Sequence, residues 1–248
     1  MFFGMGRMNT WMIILVILLV VENLSYYIST PGALLGLVLS IPGVLIAITF
    51  HEFAHAWMAD KLGDDTPRRQ GRLNLNPLSH MDPVGIAMLL FAGFGWGKPV
   101  EINQNNFNRT VSLRKGNALV SLAGPVMNFI LAIIFSIIYA VFLVVGKTFL
   151  LTTAGGIVSS IILSIISMNV GLGVFNLIPL PPLDGSKILT AILPTNARNW
   201  MENHEQLLYI IFVIIWITPI ATMLIRPVIN LINTGLVNLI YLVVNLIT

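Results

Sequence analysis

An apolar run of membrane length that ends in a cluster of ionisable side chains constrains this chain more than any other feature. Residues 33–50 are apolar, broken only by Pro42-Gly43, and lead directly into His51-Glu52-Phe53-Ala54-His55. In a helix, His51 and His55 stand four residues apart on one face, where two neutral imidazoles can share a metal ion. Glu52 falls about 100° round the helix, free to act on water instead of ligating. Zinc is the usual occupant of such a pair. It lowers the pKa of water, and an adjacent carboxylate can accept and return the proton. The competing reading is a pair of interfacial histidines with a glutamate capping a helix end. Ionisable groups within an apolar segment are costly, which favours the functional reading.

Composition decides the surroundings. The chain is 56% hydrophobic and 9% charged, with a mean hydropathy of +0.90, whereas a soluble domain carries about 25% charged residues. Such a chain cannot cover a water-facing surface, and one membrane-embedded domain over residues 1–248 is expected. With no Cys, a disulfide framework, thiolate catalysis and Cys-type zinc sites are excluded. No basic run interleaved with aromatics suggests nucleic acid.

Residues 10–29 read as a first, uncleaved transmembrane helix, weakened by Glu22. The run containing His51 is the second, and 116–146, 156–178, 207–225 and 227–247 are the third to sixth, with Arg226-Pro227 as the tight turn between the last two. Residues 60–115 hold eight of the thirteen Lys/Arg: Lys61, Arg68, Arg69, Arg72, Lys98, Arg109, Arg114 and Lys115. The positive-inside rule places that segment, the site and both termini on the cytosolic side. Within it, residues 85–97 are apolar but too short to cross a core about 30 Å thick, and their glycines are poor helix material. A short re-entrant or membrane-surface element fits. The fold class is thus an all-α integral membrane protein, with about six transmembrane helices and this element between the second and third.

Two further stretches carry polar groups. Ala123-Gly124-Pro125-Val126-Met127-Asn128 lies in the third run, and Asn128 by itself reads as glue between helices. The fourth run, which holds Asn169 and Asn176, ends in Asn176-Leu177-Ile178-Pro179-Leu180-Pro181-Pro182-Leu183-Asp184-Gly185. Its prolines force the chain to unwind before a helix restarts near Leu183. Asp184 needs a cation partner in that setting. Lys187, a helix-capping role, and a metal held by His51 and His55 are the three alternatives. Two His, one carboxylate and an open position make a catalytic zinc pattern.

Taken together, His51-Glu52-x-x-His55, Gly124-Pro125-x-x-Asn128 and Asn176-x-x-Pro179-x-Pro181-Pro182-Leu183-Asp184-Gly185 resemble the site-2 protease family of intramembrane zinc metalloproteases. The resemblance covers most of residues 33–195. Asn76-Pro77-Leu78-x-His80-x-Asp82-Pro83-x-Gly85 and Gly95-Trp96-Gly97-Lys98-Pro99-Val100 are similar to stretches of its compact prokaryotic members. It implies one zinc ion per chain on His51, His55 and Asp184, with Glu52 as general base and proton donor. It also implies Asn128 and Asn176 near the substrate strand. His80 is expected outside the ligand set, because a fourth protein ligand closes the position water needs.

The implied substrates are single-pass or anchored membrane proteins, cut in or near their transmembrane segments during regulated intramembrane proteolysis in the cell membrane. No gap between runs accommodates a PDZ domain, and no CBS-type regulatory domain is expected. Control therefore falls to a membrane partner, a second copy of the chain, or the 60–115 region. Two rivals use the same residues: a membrane metal transporter or sensor, and an inactive scaffold. The first needs a polar path across the membrane that the outward helix halves do not supply. The second has no need of Glu52.

Overall fold

The computed structural model describes residues 21, 24 and 26–248 other than 93–94. Most of the first expected transmembrane helix, residues 10–29, therefore lies outside the described residues. Among the described residues are eight helices of nine residues or more: α1 (Ala33–Lys61), α2 (Pro83–Ala92), α3 (Leu113–Val145), α4 (Thr153–Asn176), α5 (Asp184–Ile192), α6 (Thr195–Asn203), α7 (Glu205–Ile217) and α8 (Pro219–Ile247). Among the described residues α1, α3, α4 and α8 are long and apolar enough to cross a membrane.

The expected fifth and sixth runs divide elsewhere than Arg226-Pro227. The break falls at Thr218, and α8 runs straight through Pro227. Helices within a packed bundle tolerate an internal proline, so the dipeptide is no turn. This leaves α7 with 13 residues, about 20 Å of helix against a core of about 30 Å. Four of the expected six spans are thus present among the described residues, the fifth being too short and the first lying outside them. The glycine-rich stretch also departs from expectation: residues 83–92 are helical despite Gly85. The chain then returns on itself, with Met81 and Gly97 in an isolated antiparallel bridge. Tyr27 packs edge-to-face on Phe91 at 5.9 Å between centroids and donates to the Leu90 carbonyl.

A hydrophobic drive is absent between helices in lipid, so small residues decide which faces meet. On α3 the buried stripe Gly116, Val120, Gly124, Asn128, Ala132, Ser136 and Ala140 recurs every fourth residue. On α1, Gly43 lies where a Cβ would stand 2.9 Å from the Ser164 backbone of α4. Both let backbones approach closely. The outer face of α3, with Ile130, Ile134, Ile137 and Ile138, stays exposed and apolar, as a lipid-facing surface requires. α8 closes the other side, inserting Leu236 beside Ala132, Ile162, Ile166 and Val170.

Capping fixes the ends. Ser112 and Thr152 accept N–H bonds in the first turns of α3 and α4. Beyond α1, Gly63 sits at φ +105°, and a Cβ there would meet Asn108 Oδ1 at 2.7 Å. The next residue, Asp64, is fully buried. It accepts from the Thr66 backbone and hydroxyl, the Asn106 amide and the Asn103 backbone. Burial pushes its carboxyl up, but these hydrogen bonds outweigh it and hold the group below the ordinary carboxylate value.

Candidate metal centre

The site forms where the C-terminal half of α1 meets α3 and the start of α5. Helical spacing brings the two imidazoles of α1 together edge to face, with ring centroids 4.6 Å apart. One oxygen of Asp184, Oδ2, then lies 3.2 Å from His51 Nε2 and 3.1 Å from His55 Nε2. All three residues are buried, and theirs is the group of potential metal donors among the described residues, with ligand atoms within 4.8 Å of one another. The other carboxylate oxygen is 3.8 Å from Lys187 Nζ. Of the alternatives open to Asp184 from sequence, Lys187 and the histidine pair that would hold a metal both lie beside it, on different oxygens.

The donor set fits zinc: two nitrogens and a carboxylate oxygen, hard enough for the ion and one short of a closed tetrahedron. Each histidine is also held in the ligating tautomer. His55 Nδ1 donates to the Val120 carbonyl at 2.7 Å, and His51 Nδ1 to Asn128 Oδ1 at 2.6 Å. Both protons are thereby kept off the Nε2 atoms that face Asp184. Gly124 lies between these two supports on the α3 stripe. A Cβ there would come within 2.5 Å of His55 Nε2 and 2.7 Å of His51 Nε2. Glycine leaves a cradle at the point where the donors converge.

Asp184 arrives by a different route. After α4 ends at Asn176, residues 177–183 are non-helical, with a cis Pro181–Pro182 bond. α5 opens at Asp184, where a carboxylate also suits the helix dipole. Gly185 packs on the chain just before the prolines, and a Cβ there would stand 2.3 Å from the Leu177 carbonyl and 2.4 Å from that of Ile178. At the far end of α5, the Arg114 guanidinium donates to the Ala191 and Leu193 carbonyls at 3.0 and 2.9 Å. The short helix is thus tied at both ends.

Glu52 takes no part in the donor group. One carboxylate oxygen accepts from the Val100 N–H at 3.2 Å, and the other lies beside Gly97. The 97–100 stretch is itself held by His80 and Arg72. The His80 carbonyl accepts from Lys98 N–H at 2.8 Å, and Arg72 donates to the Lys98 carbonyl. His80 is fully buried, with Nε2 donating to the Asn74 carbonyl. Burial, with help from the Arg72 charge, lowers its pKa, so the ring is neutral. It braces the stretch beside Glu52 and is not a member of the donor group.

The two asparagines part company. Asn176 ends α4, half-buried, with its amide on the Leu172 carbonyl of its own helix. Asn128 is fully buried, with its oxygen on His51 and its two N–H groups on the Ala47 carbonyl and Asn169 Oδ1. Its amide is bonded on every side within the bundle, which sets it behind His51. Gly124, Gly185, Arg114 and Asn169 are additions that the sequence reading did not assign to the site. For Gly124 and Asn128 a signal existed: their spacing of four matches that of the histidines they serve. For Arg114 there was none.

Comparison with known proteins agrees with this chemistry. The sequence model described as "Peptidase family M50" matches residues 39–218. Curated relatives that carry the name "Putative zinc metalloprotease" include YwhC of Bacillus subtilis, 38% identical over 75% of this chain and 84% of its own, and Rip2 of Mycolicibacterium smegmatis, 31% identical over 73% and 68%. Rip2 of Mycobacterium tuberculosis is 27% identical over the same shares. No solved structure matches the chain.

Proposed function

This chain belongs to peptidase family M50, and from that premise we propose that it is an intramembrane zinc metalloprotease that cuts peptide bonds in or near transmembrane segments. The observation that carries the reading is the convergence of His51, His55 and Asp184, 133 residues apart at its widest, with Glu52 outside the ligand set and next to it.

When bound, zinc supplies a Lewis acid for the scissile carbonyl and lowers the pKa of water. The chain's own residues do the rest. His51 and His55 present bare Nε2 atoms, and Asp184 supplies the balancing charge. Glu52 accepts the proton from the attacking water and returns it to the leaving nitrogen. The Val100 N–H holds that carboxylate in place. A substrate helix keeps its carbonyls internally bonded, so it must unwind locally before attack. The non-helical residues 97–103 beside Glu52 are where an unwound segment can lie as an added strand. Asn176, where α4 breaks, is the side chain we assign to holding that segment.

The concentration of Lys and Arg in residues 60–115 supports a site opening near the cytosolic face, in a multi-pass protein of the cell membrane with cytosolic termini. Single-pass or anchored proteins are then the substrates, with substrate access governed by a membrane partner or a second copy.

The test is cleavage of single-pass substrates in proteoliposomes. Glu52→Gln should retain zinc and lose turnover by about 100-fold or more, the usual range for a lost general base. A purified Glu52→Gln protein that cuts at the wild-type rate ends the protease reading.

A further inference from the structure

The two histidines are oriented by unlike means. His55 leans on a backbone carbonyl, which can only accept, so its tautomer is fixed outright. His51 leans on a side-chain amide. Asn128 turned over would present N–H groups to Nδ1, move the imidazole proton to Nε2 and block ligation.

What sets the amide is a one-way chain of hydrogen bonds. The Ile165 carbonyl accepts from Asn169 Nδ2 at 2.8 Å, which directs Asn169 Oδ1 at Asn128. Asn128 Nδ2 donates to that oxygen at 2.9 Å and to the Ala47 carbonyl at 3.0 Å. Its own oxygen is left for His51 Nδ1. Both asparagines are wholly buried, in apolar helices. Turning Asn128 over would set its oxygen against two acceptors in a fully buried setting, a cost of kcal/mol size for each.

We propose that Asn169, which lies outside the donor group, is a positioning residue that selects the zinc-ligating tautomer of His51 through Asn128. The proposal rests on the metalloprotease reading and adds a residue of α4 to it. It differs from a role as helix glue, since glue would support packing without regard to which way the Asn128 amide faces.

The test is a double-mutant cycle on the purified full chain in detergent, reading zinc affinity by competition with a fluorescent chelator and, alongside it, the visible spectrum of the cobalt-loaded protein. Asn169→Leu keeps the volume and removes the acceptor. It should weaken zinc by about 10–100-fold, the range for a lost outer partner, and alter the cobalt spectrum. Asn169→Asp, whose neutral form reproduces both bonds, should stay within about threefold of wild type. In an Asn128→Asp background the carboxylate has no N–H face to turn towards His51, so adding Asn169→Leu should cost no more than about threefold.

Equal losses in both backgrounds, or wild-type affinity in Asn169→Leu, overturns the proposal while leaving the protease reading intact. If Asn169→Leu does not fold, Asn169→Ser, too short to reach Asn128, takes its place in the cycle with the same two outcomes. A wild-type chain that takes up no zinc overturns the protease reading itself.

Discussion

The imidazole half and the carboxylate half of the metal centre are built on opposite kinds of scaffold. His51 and His55 sit within a 29-residue helix, so their spacing is a property of the helix itself. The three supports they need, Val120, Gly124 and Asn128, are consecutive rungs of one stripe on α3. Asp184 heads a helix of nine residues that follows a proline-broken stretch. It is brought into place by a glycine pressed on the Leu177 and Ile178 carbonyls and by an arginine 70 residues earlier in the chain. The first half is periodic and local. The second is assembled from contacts that no period dictates, and its errors should spread into the backbone.

Paired glycine substitutions test that difference most sharply. Gly124→Ala places a methyl group against side-chain nitrogens, and Gly185→Ala places one against backbone carbonyls. Both should cost zinc affinity about 100-fold or more, at or beyond the upper end for a lost outer partner. The halves separate in the melting of the metal-free chain. Gly124→Ala should melt close to wild type, because the imidazoles can swing aside. Gly185→Ala should melt several degrees lower, because the 177–185 backbone must move. Identical melting of the two variants would abolish the distinction.

A smaller effect is expected from Arg114→Ala, which frees the far end of α5. The side chain is exposed, so the loss should be on the order of 1 kcal/mol, about fivefold in zinc affinity if it passes wholly to Asp184. Arg114→Lys should recover part of it. An unchanged affinity in Arg114→Ala would show that Gly185 alone seats the carboxylate.

Asp64 supplies the control, a polar anchor away from both halves. Its folded pKa is depressed, burial being outweighed by the hydrogen bonds it accepts. Its contribution is therefore complete above the unfolded carboxylate value near 4 and is lost as pH falls through the lower folded value. The gap in melting temperature between wild type and Asp64→Asn should be constant from about pH 7 to pH 5 and shrink below about pH 4, with zinc affinity at neutral pH unaltered. A gap that persists unchanged to pH 3 would assign the loss to packing.

Legibility followed the same division. The apolar runs gave the long helices, because in lipid a helix satisfies its own backbone and length alone qualifies it. Where that rule was extended to breaks it misplaced one: Arg226-Pro227 reads as a turn, yet α8 continues through Pro227 and the chain breaks at Thr218. The glycines of residues 85–97 argued against helix, yet α2 forms, with Gly85 admitting the close return of Gly95 and Trp96. Asn128 drew attention as a polar group in an apolar run. Which side of it the histidine would occupy depended on α1 and α4, neither of which its own neighbours in sequence describe.

By itself, the order of residues determined the chemistry on offer: two imidazoles a helical turn apart with a carboxylate between them in sequence, and a second carboxylate that a proline break obliges to find a cation. Those follow from helical geometry and from the cost of charge in an apolar medium, both local. Only the folded bundle decided that Asp184 reaches the pair, that Gly124 leaves room at the point of convergence, and that the proton of His51 is set from two helices away. Each of those is a matter of distance between groups remote in sequence, which close packing fixes and no local pattern encodes.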